Sequence, residues 1–129
     1  MSQTLSQKAK EFAYKAHEGQ KRKGGLPYIT HPEGVVRILQ EYGVSDDTVL
    51  SIAWVHDILE DTDTKYEDLE KEFGKDVANR VYLLTRNVDR EEYKLRIKSS
   101  DLITKIIKIA DTLHNVQNPY LMRYLSEIG

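Results

Sequence analysis

The stretch Ala53-Trp54-Val55-His56-Asp57-Ile58-Leu59-Glu60-Asp61-Thr62 decides how this chain is read. An imidazole and a carboxylate stand side by side in an apolar run, and an acidic doublet follows one helical turn later. Read as one helix, the run sets His56 beneath Glu60 and Asp57 beneath Asp61 at i,i+4 spacing. The residues around them (Ile52, Ala53, Val55, Ile58 and Leu59) belong in a core. Ionised carboxylates are costly to bury unless a positive group neutralises them. No Lys or Arg lies between Val49 and Asp63, so the compensating charge comes from elsewhere in the fold or from a metal ion. A metal is the expectation.

Two more residues of ligand type occupy suitable places. His31 sits in Tyr28-Ile29-Thr30-His31-Pro32, just before a helical pattern, and Asp111 ends the apolar run Ile106-Ile107-Lys108-Ile109-Ala110-Asp111. Taken singly, a His before a proline reads as a helix-entry residue, and an Asp ending an apolar helix turns to solvent. Together the four form a mixed nitrogen and oxygen set. That set suits manganese, iron or zinc better than a thiolate metal or an all-oxygen calcium cage. Four protein ligands on a six-coordinate ion leave room for water and substrate, as hydrolysis requires.

Helical periodicity runs through the whole chain and predicts an all-α bundle of about six to eight short helices. Leu5, Ala9, Phe12, Ala13 and Ala16 make the first apolar stripe. Lys21 to Tyr28 breaks the pattern with Gly24, Gly25 and Pro27 and reads as a loop. Pro32 suits the first turn of the next helix, which continues through Val35, Val36, Ile38 and Leu39 to Gly43. Ser45 reads as the N-cap of the His56-Asp57 helix, with Asp46 and Asp47 in its first turn. Thr64 to Glu67 fits a capping box, and Gly74 ends the short helix it opens. Val77, Val81, Leu83 and Leu84 mark another helix, and Asp89 to Lys98 reads as a surface helix or an ordered loop. Ile103 to Val116 is the last helix, although its isoleucine cluster also resembles a strand.

The composition removes several function classes. A chain of 129 residues suits one domain with a real core. A net charge of −2 offers no basic excess for nucleic acid. With no cysteine, disulfides, thiolate metal sites and cysteine nucleophiles are excluded. The N-terminus lacks the apolar core of a signal peptide and no stretch approaches membrane-spanning length. The expectation is a cytoplasmic protein with neither membrane nor nucleic-acid partners.

Within this acidic chain, Lys21-Arg22-Lys23-Gly24-Gly25 is a local basic cluster directly before His31. Its cations and glycine N–H groups can approach an anionic ligand, and Arg22 can stack on a nucleobase. A solvated turn after a helix is the plainer reading of the same residues; beside a metal site, anion binding is favoured. Glu60 and Asp61 are the natural catalytic pair, one taking a proton from water and the other passing it on. Asn115, four residues after Asp111, shares its helix face. His17 and His114 read as packed or surface residues rather than ligands.

The order His31, His56-Asp57, Asp111 resembles the H…HD…D pattern of HD-domain phosphohydrolases. The strings HEGQKRKGGLPYITHPEGVVRIL, AWVHDILEDT, FGKDVANRVYLLT and IIKIADTLHN are similar to the hydrolase domain of RelA/SpoT-type alarmone enzymes and their small stand-alone relatives. The resemblance runs from Phe12 to Asn115. It implies a single HD domain over residues 1–129 that holds manganese through His31, His56, Asp57 and Asp111, with iron, zinc or magnesium as alternatives. It further implies that Glu60 and Asp61 handle the attacking water. Arg22, Lys23, Tyr28 and Asn115 would contact a guanine nucleotide, with pyrophosphate leaving its 3′ position. Other readings are a phosphatase for another nucleotide, such as NADPH or a nucleoside monophosphate, and a regulatory module that binds without turnover.

Three departures from the family pattern stand out. Gly24 follows the basic pair where relatives carry a small polar residue. Val116-Gln117-Asn118-Pro119 replaces an Arg-Thr-Leu-like segment. The chain also stops at Gly129 before the helices that usually finish the fold, which suggests either a minimal form completed by self-association or a cut chain.

Overall fold

The computed structural model describes residues 3–118, so the expectations that fall on Pro119 and on the C-terminal ending lie outside the described residues. Among the described residues there are eight α-helices and no strand; the nearest approach to a sheet is one isolated bridge between Lys21 and Pro27. The helices are α1 (Leu5–Ala16), α2 (Thr30–Glu41), α3 (Asp47–Val55), α4 (Ile58–Asp61), α5 (Tyr66–Phe73), α6 (Lys75–Leu84), α7 (Arg90–Lys98) and α8 (Leu102–Val116). No helix among them is long and apolar enough to cross a membrane.

Helix α3 is the hub, and its sequence explains why. Val49 to Val55 are buried without interruption, and a helix apolar on every side has to be surrounded. It packs against α1, α2, α6 and α8, while α2 lies along α8 and α5 against α6. Ile52 and Ile58, on either side of the His-Asp doublet, are completely buried. Each such side chain contributes about 1.5–3 kcal/mol relative to its exposed state. The doublet is thus anchored at both ends by core residues.

Several local expectations are corrected. The run through His56-Asp57 is not one helix: α3 stops at Val55, His56 caps it, and α4 starts at Ile58. Asp57 lies at φ −100°, ψ 1°, in the bridge region common to turns and active sites. The N-cap of α3 is Asp46, not Ser45; its carboxylate accepts from the Val49 N–H at 3.0 Å and sits favourably at the positive helix end. The capping contact of α5 runs from the Lys65 N–H to Asp68 at 3.0 Å, because Thr64 is engaged instead by the Thr62 hydroxyl at 2.9 Å. Asp89 to Lys98 resolves as helix α7, capped by Asp89, and the isoleucine cluster near the C-terminus is helical in α8.

Candidate metal centre and cleft

Three segments of the chain deliver the centre. His31 comes from the first turn of α2, His56 and Asp57 from the break between α3 and α4, and Asp111 from α8. One ligand-type atom from each of the four lies within 4.8 Å of the others. His31 Nε2 stands 2.7 Å from Asp111 Oδ1 and 3.4 Å from Asp57 Oδ2. His56 Nε2 stands 3.1 Å from Asp57 Oδ2 and 3.4 Å from Asp111 Oδ1. His56 Nδ1 is 2.7 Å from the Ala53 carbonyl. A carbonyl can only accept, so Nδ1 carries a proton, and Nε2 is the nitrogen that can offer a lone pair to a cation at the cluster.

A divalent cation fits this arrangement. His56 Nε2 is fully buried without a hydrogen-bond partner, although buried polar atoms are nearly always paired. Two carboxylates and two imidazoles converging out of water also call for a positive charge at their centre. The electrostatics of the protein itself point the same way. Burial disfavours the His56 imidazolium, yet Asp57 and Asp111 together outweigh burial and lift its pKa well above the usual histidine value. Burial would raise the Asp111 carboxyl, but its bond to His31 and the nearby His56 hold it far below the carboxylate range. Asp57 is lowered in the same way, against its burial, by His56.

Around the centre, Tyr28, His31, Asp57, Glu60, Asp61, Arg86, Tyr93, Lys108, Asp111 and Asn115, with Leu84, line a cleft of about 240 Å³. Glu60 is half-buried; burial first, then Asp57 and Asp61, raise its pKa above the ordinary glutamate value. The Tyr28 hydroxyl donates to Asp57 Oδ2 at 2.8 Å, and burial followed by Asp57 raises its pKa, so it stays a donor. Arg22 donates to Asn115 Oδ1 at 3.1 Å, and Asn115 Nδ2 donates to Asp111 Oδ1 at 3.3 Å. The basic loop is therefore tied to the centre through Asn115. Lys23 is exposed and is not part of the cleft lining. Asp61 is held from behind: Gln20 Nε2 donates to its carbonyl at 2.7 Å, and Gln20 in turn meets His17 Nδ1 at 2.9 Å.

Sequence reasoning missed Lys108, Arg86, Tyr93 and the role of His114. Lys108 Nζ lies 3.1 Å from Asp111 Oδ2 and 5.2 Å from the Tyr93 ring centroid. Burial opposes its charge, but Asp111 prevails and raises its pKa. The signal was a lone cation in an apolar run, three residues before an acid and so on the same face. Tyr93 was legible as an aromatic in a charged stretch, and its hydroxyl donates to the Leu84 carbonyl at 2.8 Å. Nothing local marked Arg86. His114 packs as read, but against His31, Nδ1 to Nδ1 at 2.8 Å. Burial, then His31, bring its pKa down to about 4.

A helical bundle whose centre joins an HD doublet to a histidine before it and an aspartate after it defines a class. The HD-domain profile matches residues 9–101, and the chain belongs to the HD-domain family. Among its relatives, a protein of Aquifex aeolicus named guanosine-3′,5′-bis(diphosphate) 3′-pyrophosphohydrolase is 38% identical over 91% of this chain and 18% of its own length. Proteins of Xenopus tropicalis and Homo sapiens with the same name and the suffix MESH1 are each 39% identical over 85% of this chain and 66% of their own length. The chain thus spans less than two-thirds of these relatives. A solved structure described as a metazoan ortholog of SpoT that hydrolyzes ppGpp superposes with a TM-score of 0.80 at 34% identity, covering 92% of this chain and 71% of that one. The Listeria monocytogenes protein lmo0812 superposes at 0.65 and 32% identity over 80% and 68%.

Proposed function

We propose that the chain is a metal-dependent phosphohydrolase that releases pyrophosphate from the 3′ position of guanosine 3′,5′-bis(diphosphate) or its pentaphosphate analogue, giving GDP or GTP. The observation that carries this reading is the cleft itself, where the four converging ligand atoms lie beside Glu60, Asp61, Arg86 and Lys108. The relatives' names supply the substrate. Manganese is the proposed ion, held by His31, His56, Asp57 and Asp111. When bound it polarises a phosphoryl oxygen and makes a water more acidic.

The protein's own groups do the rest. Glu60, whose pKa burial raises, suits transfer of the water's proton, and Asp61 relays it. Lys108 and Arg86 face the charge that develops on the departing diphosphate. Tyr28 steadies Asp57 and, with Asn115, lines the ribose and phosphate side. A cleft of about 240 Å³ is smaller than the roughly 300–1,000 Å³ that encloses a drug-sized ligand. The reacting end enters it, and the base lies across the rim, where Arg22 and Lys23 meet it. The whole operates as one HD domain in the cytoplasm.

The test is incubation of purified protein and Mn²⁺ with a nucleotide panel. Pyrophosphate released from the tetraphosphate, and lost in Glu60→Gln, supports the proposal. Orthophosphate released from another nucleotide, with the tetraphosphate untouched, refutes it.

A further inference from the structure

Two buried imidazoles reach into the centre, and each is met from behind at Nδ1. Behind His56 stands the Ala53 carbonyl, which fixes that ring's proton on Nδ1. Behind His31 stands another imidazole, His114, with the two Nδ1 atoms 2.8 Å apart, the ring centroids 5.0 Å apart and an interplanar angle of 36°. Two ring nitrogens at this distance share one proton, and the two ways of sharing it have different consequences. If His114 donates, a neutral His31 carries its proton on Nε2, pointing into the centre, and cannot ligate. If His31 donates, its Nε2 is free to give a lone pair to a cation at the centre, as that of His56 is.

We propose that His114 is a positioning residue: it accepts the Nδ1 proton of His31, fixes the ligating tautomer and so sets the affinity of the centre for a divalent cation. The seat of His114 supports this. It lies on α8 three residues after Asp111 and is 9% exposed. Its far edge rests on the backbone of α2 at Gly34, where an added Cβ would stand 2.0 Å from His114 Nε2. The ring is thus wedged between Gly34 and His31, and α2 carries both the ligand and the glycine that makes room for its partner. Residues that orient a ligating histidine typically change metal affinity by about 10- to 100-fold when removed.

The inference rests on the metal-centre reading above, and the experiment separates the two. Mn²⁺ alone is titrated into the full chain by calorimetry, for the wild type, His114→Leu and His114→Asn, with metal-free melting temperatures measured in parallel. The leucine variant should bind Mn²⁺ about 10- to 100-fold more weakly. The asparagine variant, whose side-chain oxygen can accept where Nδ1 did, should stay near wild type. Nitrogen NMR of the wild type loaded with Zn²⁺ should find the His31 proton on Nδ1, a measurement that needs no variant to fold. A leucine variant that binds as tightly as the wild type, equal weakening in both variants, or an unprotonated His31 Nδ1 overturns the proposal. A wild type that binds no divalent ion overturns the centre and this inference with it.

Discussion

Gly34→Ala sets two effects of opposite sign against each other. In an exposed helix the change would stabilise by about 0.5–1 kcal/mol, because alanine loses less backbone freedom on folding. Gly34 is buried in α2, and the new methyl would stand 2.0, 2.2 and 2.7 Å from three atoms of the His114 ring. Ordinary contact begins near roughly 3.5 Å, so the ring must retreat by about 1.5 Å. The His31 contact, now 2.8 Å, cannot survive such a shift. Overpacking costs about 1–3 kcal/mol, and an abandoned buried hydrogen bond about 1–3 kcal/mol. Sterics win, with a net loss of about 1–5 kcal/mol, or roughly 4 °C of melting temperature per kcal/mol. The assay is thermal or urea unfolding of the metal-free chain. His114→Ser combined with Gly34→Ala should recover part of the loss, since the smaller side chain yields the space. A single variant that melts higher than wild type would refute the wedge.

The remaining expectations concern the centre. His56→Ala should leave the purified protein without its divalent ion by elemental analysis, whereas Glu60→Gln should keep the ion and lose about 10²–10⁴ in kcat. Mn²⁺ affinity should tighten as pH rises and binding should release a proton, because the raised pKa of His56 leaves it protonated when no ion is present; calorimetry in buffers of different ionisation enthalpy counts the protons. A raised histidine stabilises fully below its unfolded value near 6.5 and loses that contribution as pH climbs through the folded value. Asp57 and Asp111, both lowered from 3.8, stabilise above that value and cease to as pH falls below it. Melting of the metal-free chain should therefore drop on both the acid and the alkaline side. Lys108→Met removes the counter-charge of Asp111 and should cost more without Mn²⁺ than with it; equal losses in melting temperature would sink that account.

Much of this organisation was readable in the chain because it rests on local chemistry. Apolar spacing marked the helices, glycines marked their ends, and the four ligand-type residues carry an unusual charge pattern in apolar surroundings. What escaped notice depends on three-dimensional neighbours. Arg86 reaches the cleft only because α6 ends there, and no feature of its own sequence records that. His114 was visible as a helix residue, but its partner lies 83 residues away on α2.

The corrected break at His56-Asp57 matters more than a boundary shift of one residue. On a continuous helix, neighbouring side chains diverge by about 100°, so a histidine and the aspartate after it would address different surroundings. Here the helix ends at Val55 and the chain turns through Asp57 before α4 begins. That turn lets His56 Nε2 and Asp57 Oδ2 approach to 3.1 Å. The same turn leaves the Asp57 carbonyl to receive the Glu60 and Asp61 N–H groups at 3.2 and 3.0 Å. One short interruption thus brings two ligand-type groups together and sets the acidic pair at the cleft wall. Completely buried Ile52 and Ile58 pin the chain on either side, which makes the turn a fixed feature of the core rather than a frayed helix end.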